Sequence, residues 1–423
     1  MLYFVFIIFC AFLPFQFALN PAPGIDLAIV RVIILLLFLA WLAYALKNKL
    51  ALFEKNKITY FFTAFILLAI FSLFFSHNFA WSVRKLLFIL SIAPIHFIAV
   101  SVLNTKDKQR MATVSLVFGA ALAAFFGIIQ FLAQFVFGID SVYAFLANNI
   151  TPFFLGNSFS QAVLAYPSWL VESAGATYLR AISIFPDPHM LSYYLGMLLP
   201  WSVALWATSR AHKKIFLISS LLLLTADVLT FSRGNYLALI VAAFVILPLV
   251  SKTTAKKLIA AIAIFIILFA IAPNNPVSGR FMSSFDIQEG SNQGRIENWK
   301  QAISVIAKNP LGVGIGMYPL AINPNADYRE PIYAHNLYFD IAAELGIPAV
   351  LVFGTILYFA FKYFWQAAKK EPLFIAGVAS VTVFSVHSLV ETPLYSVHIL
   401  SLFLVIIALS VLSKKYEQTA DHQ

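Results

Sequence analysis

The chain alternates long apolar runs with short polar connections. The runs lie at approximately 2–19, 25–46, 58–76, 81–103, 111–137, 190–209, 214–231, 235–250, 256–272, 337–361, 373–390 and 395–412. Each is near the roughly 20 residues that a helix needs to cross about 30 Å of hydrocarbon, the shorter ones marginally. The pattern predicts an all-α, polytopic transmembrane bundle of about twelve spans, with residues 1–423 forming one integral membrane domain. Residues 2–19 look somewhat like a signal sequence, but no Lys or Arg precedes them and FALNPAPG offers no small-x-small cleavage pattern, so they read as a retained first span.

The connections carry a second pattern. Lysine clusters follow spans two (KNKLALFEKNK), four (NTKDKQR), six (SRAHKK), eight (SKTTAKK), ten (FKYFWQAAKKE) and twelve (SKKYE), whereas the connections after spans one, three, five, seven, nine and eleven hold almost none. Lysine-rich connections are retained on the cytoplasmic side. The alternation therefore predicts both termini in the cytoplasm and two long segments, 138–189 and 273–336, on the outer face. The first mixes aromatics with Asn, Ser and Pro and predicts an interfacial helix around Ser158 to Trp169. The second predicts an amphipathic helix, RIENWKQAISVIAKNP, with Ile296, Trp299, Ile303 and Ile306 on one face and Asn309-Pro310-Leu311-Gly312 as its stop.

Composition agrees with the membrane class: 61% of the residues are hydrophobic and 11% charged, and the mean hydropathy is +0.87. The net charge of +10 is dispersed in clusters between the runs, where it sets topology, so no nucleic-acid partner is expected. The single cysteine, Cys10, excludes an internal disulfide. No His or carboxylate spacing suggests a metal cage, and no metal or cofactor is expected.

Arginine departs from the lysine pattern. Arg31, Arg84, Arg180, Arg233, Arg280, Arg295 and Arg329 all map to the outer side or to the outer ends of spans. A guanidinium stays charged and matches phosphate or carboxylate with two parallel hydrogen bonds, so the excess points to an outer-face anion site. Arg31 and Arg329 read more simply as headgroup anchors or partners of acids. Three positions share one expected geometry, a cationic or protonatable group at a helix start: Arg233 with Ser232 as N-cap, Arg295 after Asn292-Gln293-Gly294, and His335 with Asn336. Arginine there opposes the helix dipole by about 0.3–1 kcal/mol, a cost that a bound anion would offset.

His335 is the candidate base, because imidazole titrates near neutral pH; His189, in FPDPHM, is its nearest competitor. Asp227 and Glu344 lie at membrane depth and need a partner or a cavity: Arg233 or another outer arginine for Asp227, a cavity beneath His335 or a helix contact for Glu344. GVGIG follows a helix and has no βαβ frame, so it reads as a flexible turn and not as a dinucleotide fingerprint.

The order SRGNYLAL, then GRIENWKQAISVIAKNPLGVGIGMYP, then AHNLYFDIAAELGIPAVLV resembles the bacterial O-antigen ligase and O-antigen polymerase family of membrane glycosyltransferases, which includes pilin oligosaccharyltransferases. The resemblance covers roughly Thr225 to Leu351 and does not separate ligase from polymerase. It implies transfer of a glycan from a polyprenyl (undecaprenyl) diphosphate carrier to an acceptor hydroxyl of a lipid, glycan or protein. The reaction would be metal-independent and inverting, at the outer face of the inner membrane, in lipopolysaccharide or other cell-envelope polysaccharide biosynthesis. It further implies that Arg233 and Arg295 hold the diphosphate and His335 acts on the acceptor hydroxyl. Weaker substrate contacts are Arg280, Asn336, His189, Glu344 and Asp227. Membrane lipids and envelope-biosynthesis proteins are the expected neighbours. The alternative class is a flippase or transporter of lipid-linked oligosaccharide; an internal repeat, common in transporters, is not evident here.

Overall fold

The structure is a computed structural model that describes residues 2–414 apart from 23, 50, 272–275, 284, 285, 287 and 331. Pro273 at the head of the second long loop, Lys415 in the last lysine cluster and the two chain ends lie outside the described residues.

A helix, or two helices end to end, occupies each of the twelve apolar runs. By length and composition, six segments among the described residues can cross a membrane, from Ile29–Lys47 to Ile347–Ala368; others, such as Arg233–Leu249 and Val397–Ser413, are shorter. The outward surfaces are apolar, as at Leu35, Leu36, Phe118 and Phe135, each more than half exposed. This is the surface of a polytopic all-α membrane protein.

Side chains fix many helix starts. Asn56, Asn78, Thr105, Asp187, Asn336 and Ser396 each accept a backbone N–H from the first turn of the helix that follows. At the centre stands Val397–Ser413, in which every residue from His398 to Ser413 is buried. A helix apolar all round belongs inside a bundle. It packs on Pro188–Thr208, Ile347–Ala368, Ile375–His387 and the broken pair Phe79–Ile92 and Pro94–Val102.

The tenth run is broken as well. Leu337–Leu345 and Ile347–Ala368 meet at Gly346, whose φ of +87° ends the first helix, while Pro348 opens the second. GVGIG fills this break. Val313 and Gly314 donate their N–H to the carbonyls of Ala343 and Glu344, at 2.8 and 3.0 Å, and Ile347 donates to Pro310 O at 3.0 Å. A Cβ on Gly346 would lie 2.6 Å from the Leu311 carbonyl carbon, and one on Gly312 2.5 Å from Glu344 O. The segment expected to be a flexible turn is thus a tightly packed plug that satisfies helix-end carbonyls.

Two antiparallel hairpins were not expected: Ala18–Ala22 with Ile25–Ala28, and Leu170–Ser173 with Ala176–Leu179. The second turns through Ala174 and Gly175, both at positive φ, the arrangement that suits a two-residue hairpin. Where an interfacial helix was expected, around Ser158 to Trp169, a shorter helix runs over Asn157–Ala165. Asp26 of the first hairpin accepts the N–H groups of Ser158 and Phe159 at its start.

The six lysine-poor connections all converge. Asn157 N–H meets Asn20, and Arg329 donates to Gly24 O. Asn78 N–H meets the Met317 sulfur, and Arg180 donates to Thr230 O. Arg295 reaches Val390 O and Glu391. One end of the bundle therefore carries every element that the site uses.

Candidate active site

The helix of the second long loop spans Gly290–Lys308 and begins earlier than expected. Glu289 is its N-cap, accepting from Asn292 N–H, so Arg295 lies more than a turn inside and does not oppose the helix dipole there. Its buried face also differs. Ala302 and Val305 pack with Val313, Met317, Tyr318 and Ala343, while Ile296 and Ile303 are exposed. Trp299 meets Phe339 edge-on at 6.2 Å, which docks the loop helix on Leu337–Leu345.

This docking carries Arg295 to the turn between Ile375–His387 and the central helix. Arg295 Nη2 lies 3.0 Å from Glu391 Oε1, and Nη1 donates to Ser291 Oγ at 2.9 Å. Arg233 Nη2 donates to the same Ser291 oxygen at 3.1 Å. His335 Nδ1 stands 3.5 Å from Glu391 Oε2, and His189 Nδ1 is 3.5 Å from Oε1. Arg233, Arg295, His335 and His189 thus form one connected group around Ser291 and Glu391. His335 has a φ of +49°, and Phe231, just before Ser232-Arg233, has +53°. Non-glycine residues held in this region cost on the order of 1–2 kcal/mol, and such strain tends to gather at functional sites.

Glu391 governs the electrostatics. Burial works against its charge, but His189, His335 and Arg295 together hold its carboxyl well below the usual range. Burial also disfavours the His335 imidazolium, yet the hydrogen bond and charge of Glu391 outweigh it and raise the pKa above its usual value. Glu289 is likewise lowered despite burial, because it lies between Arg233 Nη2 at 3.0 Å and Arg280 Nη1 at 2.9 Å.

A cavity of about 530 Å³ opens over this group, walled by His189, Ser291, Arg295, His335, Glu391 and Tyr395 among others. Arg233 is not in its wall. It is 8% exposed and held behind Ser291 by Ser283, Glu289, Ser291 and Asn292. Arg280 lines a separate hollow with Glu289.

Three expected substrate contacts are otherwise engaged. Asp227 has no arginine partner among the described residues; it accepts from Ser192 and Asn235, at 2.7 and 2.8 Å, because its helix turns it into the bundle and away from Arg233. Asn336 caps Leu337–Leu345 through its oxygen and donates to Leu389 O through its nitrogen. Glu344 pairs with Lys85 at 2.8 Å and accepts from Tyr395 at 2.7 Å, the helix-contact alternative. Ser232 stands at the N-cap position before Arg233 but makes no side-chain cap bond; its hydroxyl lies 3.3 Å from His189 Nδ1 instead.

Other groups join the site without a sequence signal strong enough to single them out. Glu391 reads only as a cap in VETP. Asp340 receives the Ala334 N–H at 2.9 Å and the Thr392 hydroxyl, so it ties the neighbour of His335 to the neighbour of Glu391. Lys85, within Phe79–Ile92, pairs with Glu344 and lies over the Tyr395 ring at 3.7 Å. Among the described residues, no group of His, Cys and acids could hold a metal ion.

Residues 218–354 match the Wzy_C family, described as O-antigen ligase. An O-antigen polymerase of Salmonella muenchen is 28% identical over 204 residues, covering 44% of this chain and 47% of that protein, so the match spans about half of the relative's length. The stretch matching the O-antigen ligase family contains Arg233, Arg280, Arg295 and His335 but stops before Glu391.

Proposed function

We propose that the chain transfers a glycan from a polyprenyl diphosphate carrier to an acceptor hydroxyl, as an O-antigen ligase or polymerase type of glycosyltransferase on the outer face of the inner membrane. The observation that carries this reading is the placement of Arg295, His335 and Glu391 in the wall of one cavity. It fits the membrane fold and the family match.

The acceptor oxygen attacks the anomeric carbon from the face opposite the diphosphate. The new carbon–oxygen bond forms as the carbon–phosphate-oxygen bond breaks, the electron pair departs with the diphosphate, and the configuration inverts. His335 takes the acceptor proton at Nε2, while Nδ1 faces Glu391, which orients the ring and stabilises the imidazolium. Arg295 binds the departing diphosphate by charge-assisted bonds. Arg295 is paired with Glu391; a diphosphate competes with the carboxylate for it and leaves Glu391 to the imidazolium. Arg233 supports Ser291 from behind, and it meets the diphosphate directly only if Glu289 gives way.

Reconstitution with lipid-linked glycan and candidate acceptors tests the scheme. Arg295→Ala is expected to slow transfer by about 10²–10³-fold, the usual effect of losing one group that stabilises developing negative charge. Undiminished release of carrier diphosphate by both Arg295→Ala and His335→Asn would rule the mechanism out. Passage of labelled carrier across protein-only liposomes, with no glycan transfer, would put a transporter in its place.

A further inference from the structure

A second cavity, of about 290 Å³, adjoins the first; Arg329, Tyr333 and Tyr395 line both. Its wall carries Arg31, Arg84, Lys85 and Arg329 against the carboxylates of Asp26 and Glu330. Two of these cations are already matched. Lys85 Nζ is 2.8 Å from Glu344, and Arg329 Nη2 is 3.7 Å from Asp26. Glu330 accepts the Asp327 N–H at 3.4 Å.

Arg31 and Arg84 have no carboxylate within salt-bridge distance among the described residues. Arg31 Nε donates to Ser91 Oγ at 2.7 Å and its guanidinium lies over the Phe88 ring at 5.4 Å. Arg84 lies over the Tyr328 ring at 4.4 Å. Ring faces orient a guanidinium while leaving in-plane donors for another ligand. The contrast with the first cavity is informative, because there Glu391 pairs with Arg295. The rest of the wall combines apolar side chains, among them Phe88, Leu155, Phe159 and Val397, with Gln16, Ser396, His398 and tyrosines. Two uncompensated guanidiniums beside apolar walls, next to a hydrocarbon-spanning helix, match a phosphate headgroup attached to a lipid chain.

We propose that Arg31 and Arg84, with Arg329 at the shared wall, form a second anion site that holds the phosphate of a second amphiphile beside the first cavity. Resting on the proposed transfer reaction, this deepens it: donor and acceptor are both phosphate-bearing lipids, held in adjoining cavities with the reacting centres meeting between them. The shared chemistry is a lipid-borne phosphate, and it has two sources, a second polyprenyl diphosphate or a phospholipid-type headgroup.

Native mass spectrometry of the full-length protein in detergent, with glycan-free polyprenyl diphosphate as the probe, counts the sites. Wild type is expected to bind two molecules. Arg31→Ala/Arg84→Ala is expected to weaken one by at least about tenfold, the loss of one or two charge-assisted bonds. Arg295→Ala should weaken the other. The single variant Arg84→Gln, checked for an unchanged melting temperature, guards against misfolding of the double variant and should show the same direction. A wild-type stoichiometry of one overturns the proposal, and so do unchanged affinities in both Arg84 variants. Loss on Arg295→Ala in the same experiment would still leave the transfer reading standing. If Arg295→Ala changes nothing while the Arg31 and Arg84 variants lose a molecule, the transfer reading fails and the second site remains. Displacement of one bound molecule by phosphatidic acid would assign the second site to a phospholipid-type headgroup; resistance to displacement would assign it to a second carrier-type diphosphate.

Discussion

His335 holds its proton more tightly than a free histidine because the Glu391 carboxylate lies 3.5 Å from Nδ1, and this sets the pH at which it can act as a base. The neutral imidazole is the active form. With a pKa above its ordinary value of 6.5, the neutral fraction and the rate rise together as pH rises through that higher value. In Glu391→Gln the main group that raises the pKa is gone, and Asp340 alone is left to raise it against burial and Arg295. The acid limb of the kcat/KM profile should therefore move to lower pH. A limb that stays in place would show that another group titrates. His335→Asn is the suitable deletion, since asparagine tolerates the left-handed backbone that His335 adopts at φ +49°. It should lower kcat by about 10²–10⁴-fold, the range for a lost general base, with little change in stability.

At the scale of the elements, the site depends on how Leu337–Leu345 is held. Asp340 bonds Ala334 N–H with one oxygen and the Thr392 hydroxyl with the other, so it sets the spacing between His335 and Glu391 without touching the cavity. Asp340→Ala leaves a buried N–H and a hydroxyl unpaired, a loss of about 1–3 kcal/mol per orphaned group. It should depress kcat far more than it raises KM, whereas Asp340→Asn, which can still accept from Ala334 and donate to Thr392, should retain most activity. Gly346→Ala tests the plug: the added methyl meets the Leu311 backbone in a left-handed conformation, and a lower melting temperature is the expected result. These elements also mark what the sequence could and could not say. The apolar runs gave the helices because length and hydropathy are local properties. The break at Gly346 and the role of GVGIG depend on carbonyls 30 residues away and left only a suggestive glycine pattern. Arg295 and His335 stood out as polar groups in an apolar chain. Glu391 did not, because its importance comes from three partners brought to it by two separate long segments.

Across the whole molecule, the lysine pattern and the convergence of the six lysine-poor connections make a labelling experiment sharp. Cys10 is fully buried, so an introduced thiol has no native competitor. Lys300 is exposed on the loop helix, and Lys256 on Lys252–Ile271. If the proposed orientation holds, an impermeant maleimide added outside spheroplasts labels Lys300→Cys and leaves Lys256→Cys unlabelled until the membrane is opened. The opposite result reverses the orientation and places the cavity on the wrong side for an outer-face transfer.

The central helix Val397–Ser413 has a consequence for biosynthesis. It is the last of the described helices to leave the ribosome, yet it fills the axis around which the others pack. Synthesis proceeds from the N-terminus, so the earlier helices must enter the membrane around an unfilled axis. The turn bearing Glu391 immediately precedes this helix, and it reaches its position only when the axis is occupied. Assembly of the bundle and completion of the site are therefore coupled: a nascent chain that ends before this helix already contains Arg295, His335 and Glu391 but not the seated helix that follows the Glu391 turn.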